Sequence, residues 1–337
     1  VTSERNPDLS PGPDGYSVSV VMAVRDEAEH IVACLEAILG QDYALPYDVV
    51  IADGMSTDDT RKLIASVDSP TPVRVVDNPT GRTAAGLNAA IAACEGDIIV
   101  RCDGHAFLPP DYISTAVEIL SDPELGPQIG MVGARSIVRG TGFVQRGIAA
   151  AMSNPMGVGN AKYRYSDEAG FVDTAFLGVF RRKVVEQVGG FDETLIRNQD
   201  YELNLRIRKA GYKIYYDPRM AVEYAPRASY GALASQYFQY GSWKRVVIRR
   251  NPDSVRARQL APVALLGALA VSPLLGRIDR RLGLAVPGLY AGMVSAAALA
   301  ETVKRRDPAA LGAVLAIPTM HLSFGAGFIL DPERGRG

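Results

Sequence analysis

An aspartate and a histidine two residues apart close the stretch Asp97-Ile98-Ile99-Val100-Arg101-Cys102-Asp103-Gly104-His105. Asp103 and His105 are both able to ligate a divalent cation, and a cation held there would neutralise a diphosphate. The apolar β-formers before them read as a buried parallel strand. In open α/β sheets, ligands bind at the carboxyl ends of such strands. By itself an Asp-x-His pair is also compatible with a loop aspartate and a surface histidine, so its meaning depends on the elements around it.

Those elements alternate. Ser17–Val24 reads as a continuous apolar strand. Glu27–Leu39 has helical spacing, with Ile31, Cys34, Leu35, Ile38 and Leu39 on one face and Gly40 as the stop. Tyr47–Ala52 is a second strand. Ser56 or Thr57 can cap a helix that opens on Asp58 and Asp59 and runs through Leu63, Ile64 and Val67. A short strand at Val73–Val76, an alanine-rich helix at Thr83–Ala93 and the strand at Asp97–Cys102 complete the series. Strands alternating with helices imply βαβ units and a parallel sheet. No G-x-G-x-x-G follows the first strand and no P-loop pattern appears, which speaks against a dinucleotide-binding domain and a P-loop phosphotransferase. Further on, helices are expected over Arg181–Val188 and Asp200–Ala210.

Composition narrows the partners. Of 337 residues, 36 are Lys or Arg and 37 are Asp or Glu, so the net charge of −1 offers no footprint for nucleic acid. The three cysteines, Cys34, Cys94 and Cys102, form no CxxC pair and read as reduced structural thiols of a cytosolic compartment. Residues 1–16 read as a disordered tail with no signal-peptide core, and Val1 suggests an alternative start codon. The segments Leu260–Gly276, Leu282–Ala300 and Pro308–Leu330 contain no Asp, Glu, Lys or Arg and are 17, 19 and 23 residues long. A membrane-spanning helix needs about 20. Two or three of them are expected to lie in a membrane, the first as a re-entrant or interfacial segment because it holds Pro262 and Pro273. Lys244, Arg245, Arg249, Arg250, Arg256 and Arg258 precede them and fit a basic patch on anionic membrane lipid, on the cytoplasmic side by the positive-inside rule.

Five ordered motifs carry a family likeness. Ser19-Val20-Val21-Met22-Ala23-Val24-Arg25-Asp26-Glu27 resembles the opening strand and turn of family 2 glycosyltransferases of the GT-A fold. Asp53-Gly54-Met55-Ser56-Thr57-Asp58-Asp59-Thr60 resembles their D-D-G-S-T-D-x-T turn, with Gly54 for the second acid. Asp103-Gly104-His105, followed by Pro109-Pro110-Asp111-Tyr112, resembles the D-x-D element and its continuation, with His105 for the second carboxylate. Gly189-Gly190-Phe191-Asp192-Glu193 and Gln199-Asp200-Tyr201-Glu202-Leu203 resemble the G-G-F-D-E and E-D-x-x-L blocks. The likeness runs from Val18 to Val247, and Ala52-Asp53-Gly54-Met55-Ser56 with Asp103-Gly104-His105 most resembles the succinoglycan-type β-1,3-glucosyltransferases.

That resemblance implies a Rossmann-like mixed sheet flanked by helices over residues 17–250, a C-terminal helical membrane region over 251–337, and an inverting transfer from a nucleotide-sugar, a UDP-hexose. It implies that Asp53 accepts from the uracil ring, and that Asp26 and Glu27 hold the nucleoside or else start a helix. Arg82, Arg101 and Asp103 are the other donor-site candidates, the two arginines as diphosphate contacts. Asp103 and His105 would hold Mn²⁺ or Mg²⁺; imidazole, the softer ligand, favours Mn²⁺. Asp200 is the implied general base, with Glu202 the lesser candidate. The absence of a glutamate before Asp200 removes a like charge that would raise its pKa. Gln239-Tyr240-Gly241-Ser242-Trp243 resembles the Q-x-x-R-W motif of processive synthases with Ser242 for the arginine. Gln239 and Trp243 are therefore candidate acceptor contacts, although Trp243 equally fits a membrane-interface residue. His30 and His321 read as structural.

The expected acceptor is a lipid-linked glycan in exopolysaccharide or cell-envelope synthesis at the inner membrane, with further partners in the assembly pathway. Transfer to a bare polyprenyl phosphate, or nucleotide-sugar binding without turnover, are the alternatives.

Overall fold

The computed structural model describes residues 15–330, and in it the expected alternation is present. The strands are β1 (Val18–Val24), β2 (Tyr47–Asp53), β3 (Val73–Asp77), β4 (Ile98–Asp103), β5 (Ile129–Val138), β6 (Gly170–Val172), β7 (Phe176–Arg181) and β8 (Lys213–Tyr224). The helices are α1 (Ile31–Leu39), α2 (Thr60–Ser66), α3 (Thr83–Ala93), α4 (Tyr112–Ser121), α5 (Phe143–Met152), α6 (Pro155–Val158), α7 (Arg182–Gln187), α8 (Gln199–Lys209), α9 (Tyr230–Arg250), α10 (Ala257–Ile278), α11 (Arg280–Arg305) and α12 (Ala313–Ile329). Two compact units result. One comprises residues up to 136 and 166–223; the other comprises 137–165 and 224 onward. The first domain was expected to run unbroken to 250. The segment 137–165 instead joins the C-terminal helices, because Ile148 to Met152 on α5 form one buried cluster with Leu233, Ala313, Ile317 and Met320.

In the first unit one eight-stranded sheet has the order β3-β2-β1-β4-β7-β5-β8-β6. β3, β2, β1 and β4 are parallel, and β7 pairs antiparallel with both β4 and β5. Residue parity sorts side chains between the two faces. Val20, Met22, Val24, Val49, Ile51, Ile98, Val100 and Cys102 pack on one side with α1 and α4. Val21, Val50, Ala52 and Ile99 pack on the other with α3, α7 and α8. These are fully or almost fully buried, each stabilising by about 1.5–3 kcal/mol for a Val- or Ile-sized group. Both faces being covered explains why the central stretches of these strands, such as Val20–Val24, Val49–Ala52 and Ile98–Val100, are apolar on successive residues rather than alternating. The three cysteines are buried and form no disulfide; the Cys34 and Cys102 sulfurs lie 3.9 Å apart, within hydrogen-bonding reach.

Residues 1–14 of the expected tail, and the C-terminus from 331, lie outside the described residues. Tyr16, assigned to that tail, is instead core: it is 4% exposed, its carbonyl accepts from the Tyr43 hydroxyl, and Arg181 lies over its ring at 5.2 Å.

In the second unit, three helices are long and apolar enough to cross a membrane: Gln259–Ile278, Arg280–Arg305 and Pro308–Ile329. Only 11% of each of the first two is buried in protein, against 39% of the third. Leu274, Ile278, Leu289, Leu299 and Val303 are all more than half exposed, a surface suited to lipid rather than water. The first segment was expected to be re-entrant or interfacial because of its prolines; α10 runs as one helix through Pro262 and Pro273 for 22 residues. Gly283 on α11 lies so near Gly276 that a Cβ would meet its Cα at 2.5 Å, so these two helices cross at glycine contact distance.

Candidate active site

The parallel strands end together. Register pairs Val24 with Asp53 and Ala23 with Asp103, so two acids flank the carboxyl end of β1 and Asp26 follows two residues past it.

Arg101 and Asp103, two apart on β4, share a face of the sheet. The guanidinium donates from Nη2 to Asp103 Oδ1 at 2.9 Å and from Nη1 to Asp200 Oδ1. It is 9% exposed, whereas Asp103 is 32% and Asp200 46% exposed, so a buried cation holds two solvent-reaching carboxylates. Burial opposes its charge, but Asp103 and Asp200 outweigh that and raise its pKa. Arg101, expected as a diphosphate contact, thus has both terminal nitrogens engaged by carboxylates, and its buried Nε has no partner among the described residues. The bridge was missed from sequence; its signal was the shared parity of 101 and 103.

Asp200 lies in the first turn of α8, after Asn198 in the left-handed conformation at φ 64°. Desolvation raises its pKa against the pull of Arg101, with a further push from Asp103; exposure to solvent moderates the rise. Asp103 therefore supplies the like charge that Gln199 removes from the family pattern. Gln199 itself donates to the Leu195 carbonyl at 2.8 Å. Glu202 is 7% exposed and held by Arg206 at 2.6 Å, which leaves it poorly placed to take a proton from a substrate.

Glu27 and His105 meet across the same edge, Oε1 to Nδ1 at 2.9 Å. That bond holds the imidazole pKa above its usual value. Among the described residues no three His, Cys, Asp or Glu side chains converge in metal-binding geometry. Yet Asp103 Oδ2 and His105 Nε2 have no protein partner there, and a carboxylate on Nδ1 is the usual support of a ligating histidine. Cations of the Mg²⁺ type take one or two protein ligands and complete their shell with substrate phosphate and water. The pair fits that requirement, with Glu27 behind it.

The remaining donor candidates differ in how far they are engaged. Asp53 is fully buried; it accepts from the Ser56 hydroxyl at 2.6 Å and pairs with Arg61 at 3.4 Å. Asp26, at φ 53°, accepts from the Thr57 amide at 2.7 Å, which lowers its pKa. The turn after β1 is thereby laced to the turn after β2. Arg82, the residue before α3, is exposed and makes no side-chain bond among the described residues. Asn88 brackets the Gly-Gly-Phe-Asp block, accepting from Phe191 N at 2.8 Å and donating to its carbonyl at 2.9 Å. Gly190 is required there: φ is +70° and a Cβ would meet Asn88 Oδ1 at 2.8 Å.

Gln239 and Trp243 belong to the second unit, on α9, where Trp243 is 8% exposed. Ser242, standing where the motif has arginine, donates to the Gly327 carbonyl on α12 at 3.0 Å. A Cβ at Gly241 would strike the Phe324 carbonyl at 2.0 Å, so close helix packing accounts for the small pair. The basic patch is also smaller than expected. Lys244 is 8% exposed and Arg245 caps the Phe328 and Ile329 carbonyls at the end of α12. The side chain of Arg258 lies outside the described residues. His321 is bonded to the Tyr290 hydroxyl at 2.9 Å.

Comparison with known proteins agrees with this architecture. The family model for glycosyl transferase family 2 matches residues 19–189. The succinoglycan biosynthesis protein ExoA of Rhizobium meliloti is 30% identical over 321 residues, covering 94% of this chain and 96% of that one. A dolichyl N-acetyl-α-D-glucosaminyl phosphate 3-β-D-2,3-diacetamido-2,3-dideoxy-β-D-glucuronosyltransferase of Methanococcus voltae is 25% identical, covering 69% of this chain and 74% of that one. Among solved structures, the Pyrobaculum calidifontis mannosyltransferase PcManGT, in complex with GDP-Man and Mn²⁺, superposes with a TM-score of 0.58 at 21% identity, over 97% of this chain and 90% of that one. The mixed sheet with its parallel half is that of the GT-A fold, and the chain belongs to glycosyl transferase family 2.

Proposed function

We propose that this glycosyltransferase moves a hexose from a UDP-sugar, with inversion, to a lipid-linked glycan in exopolysaccharide or cell-envelope synthesis, at the cytoplasmic face of the inner membrane. The observation that carries the reading is the link from Asp103 through Arg101 to Asp200, which ties the donor edge of the sheet to a carboxylate of raised basicity.

On this reading Asp53, Asp26 and Glu27 hold the nucleoside, and Arg82 is the unengaged cation for the diphosphate. Asp103 and His105 would hold the cation, which when bound neutralises charge on the departing diphosphate. Asp200 keeps Oδ1 on Arg101 and turns its other oxygen to the acceptor hydroxyl. It takes that proton as the acceptor oxygen bonds to the anomeric carbon and the bond from that carbon to the diphosphate breaks. The exposed apolar faces of α10 and α11 support membrane attachment. Arg249, Arg250 and Arg256, just before α10, support a cytoplasmic catalytic unit. A glycan already on its lipid carrier is preferred to bare polyprenyl phosphate because the M. voltae relative is named for a sugar-bearing dolichyl phosphate.

The test is transfer by membranes holding the full chain, with a panel of labelled nucleotide-sugars. Polyprenyl-diphosphate glycans are compared with bare polyprenyl phosphate as acceptors. Label in the glycan with inverted anomeric configuration is expected; label only on bare polyprenyl phosphate contradicts the acceptor assignment.

A further inference from the structure

Arg164, just before residue 166 where the chain returns to the first unit, has no role in the site above. Its guanidinium lies over the rings of Tyr163, at 5.4 Å, and Tyr224, at 5.0 Å. Tyr237 and Tyr240 stand close by, their ring centroids 5.5 Å apart. It makes no hydrogen bond or ion pair among the described residues, and its Nη1 is shut off from solvent with no partner. Gln236, one turn before Tyr240 on α9, is 8% exposed. Its Nε2 donates to the hydroxyls of Tyr224 and Tyr240 at 3.1 and 3.0 Å, and its Oε1 is buried and unpartnered.

A guanidinium nitrogen withdrawn from water needs an acceptor, best an anionic one. Ring faces attract the guanidinium but accept none of its N–H groups in line. The groups shown around it are phenols, and one orphan carbonyl stands beside them. That set lacks an anion with several acceptor oxygens and a neighbouring hydroxyl to satisfy Gln236, the chemistry of a sugar phosphate. It is built into the unit that carries the three candidate spans, and tyrosine is a residue of membrane interfaces.

We infer that Arg164, Gln236 and the tyrosines around them bind the phosphate of the lipid carrier that bears the acceptor sugar. The inference rests on the lipid-linked acceptor reading and names the group in this chain that would recognise the carrier. A phospholipid headgroup offers the same phosphate chemistry, so the test separates the two.

The probe is farnesyl phosphate, titrated calorimetrically into the purified full chain in neutral detergent with chelator present, so that metal-dependent binding at the donor site is silent. Wild type is expected to bind it, and to bind farnesol at least about tenfold more weakly. Arg164→Gln should weaken farnesyl phosphate by about 10- to 100-fold, the range of one charge-assisted bond, while UDP affinity in the presence of Mn²⁺ is unchanged. If Arg164→Gln does not fold, Arg164→Lys decides, because an ammonium keeps the charge but loses the fork and the stacking. A several-fold loss is expected there, and unchanged binding overturns the site. Competition by dihexanoyl phosphatidylglycerol on equal terms would overturn the carrier assignment. Because binding is read without transfer, the two claims fail separately. A chain that glycosylates lipid-linked glycans yet binds farnesyl phosphate independently of Arg164 sinks this inference alone. One that binds through Arg164 yet glycosylates only unphosphorylated acceptors sinks the acceptor reading.

Discussion

Arg101→Lys separates two roles for one buried cation. As a bridge, Arg101 makes two charge-assisted bonds to carboxylates on different elements, β4 and α8. Lysine keeps the charge but, as a compact ammonium on a flexible stem, cannot reproduce the planar fork. At least one bond is lost. Between buried partners that costs about 1.5–3 kcal/mol. Here the carboxylates are 32% and 46% exposed, so solvent screening brings the stability loss to about 1 kcal/mol. The larger effect is on rate. An Asp200 released from the fork can drift by about 1 Å, and misplacement on that scale costs about 100-fold. The assay is steady-state transfer with donor affinity measured separately by UDP binding. A kcat lower by one to two orders of magnitude at near-normal UDP affinity is expected. Normal kcat with strongly weakened UDP binding would refute the bridge and make Arg101 a diphosphate contact.

Other outcomes follow from the same geometry. Excess chelator should abolish transfer, and His105→Asp should retain activity while moving the cation preference from Mn²⁺ toward Mg²⁺; full activity in chelator counts against the Asp103–His105 pair. Gly190→Ala, at φ +70° against Asn88, should destabilise by about 1–3 kcal/mol, read as a lower denaturation midpoint at unchanged donor specificity. Membranes washed with carbonate or high salt should retain the chain, and its release intact would contradict insertion of α10 to α12.

The strands and most helices were legible because both faces of the sheet are covered. Continuous apolar runs such as Val20–Val24 and Ile98–Val100 have no other comfortable place to fold. The acids at the carboxyl edge were legible for the same reason: an aspartate ending such a run must sit at the rim. Pairings across the chain were not. Nothing local to Arg101 announces Asp200, ninety-nine positions away, nor does Glu27 announce His105, because such bonds depend on how α8 and the turn after β1 are set on the sheet. The place of the segment 137–165 was not legible because a helix period says only that one face is buried, not against what; Ile148 to Met152 are buried with Leu233 on α9 and Ala313, Ile317 and Met320 on α12. Ser242 is the reverse case. Read as a lost arginine, it is explained by a helix crossing that needs a small residue.

The central claim is that Asp200 accepts the proton in the transfer. Asp200→Asn preserves shape and can still accept from Arg101, but it cannot take a proton. Turnover should fall by about 10²–10⁴-fold with UDP binding little changed. Glu202→Gln, which disturbs only the pair with Arg206, should keep most of its turnover. Near-wild-type turnover in Asp200→Asn, or a dead Glu202→Gln that still binds UDP, would contradict the account.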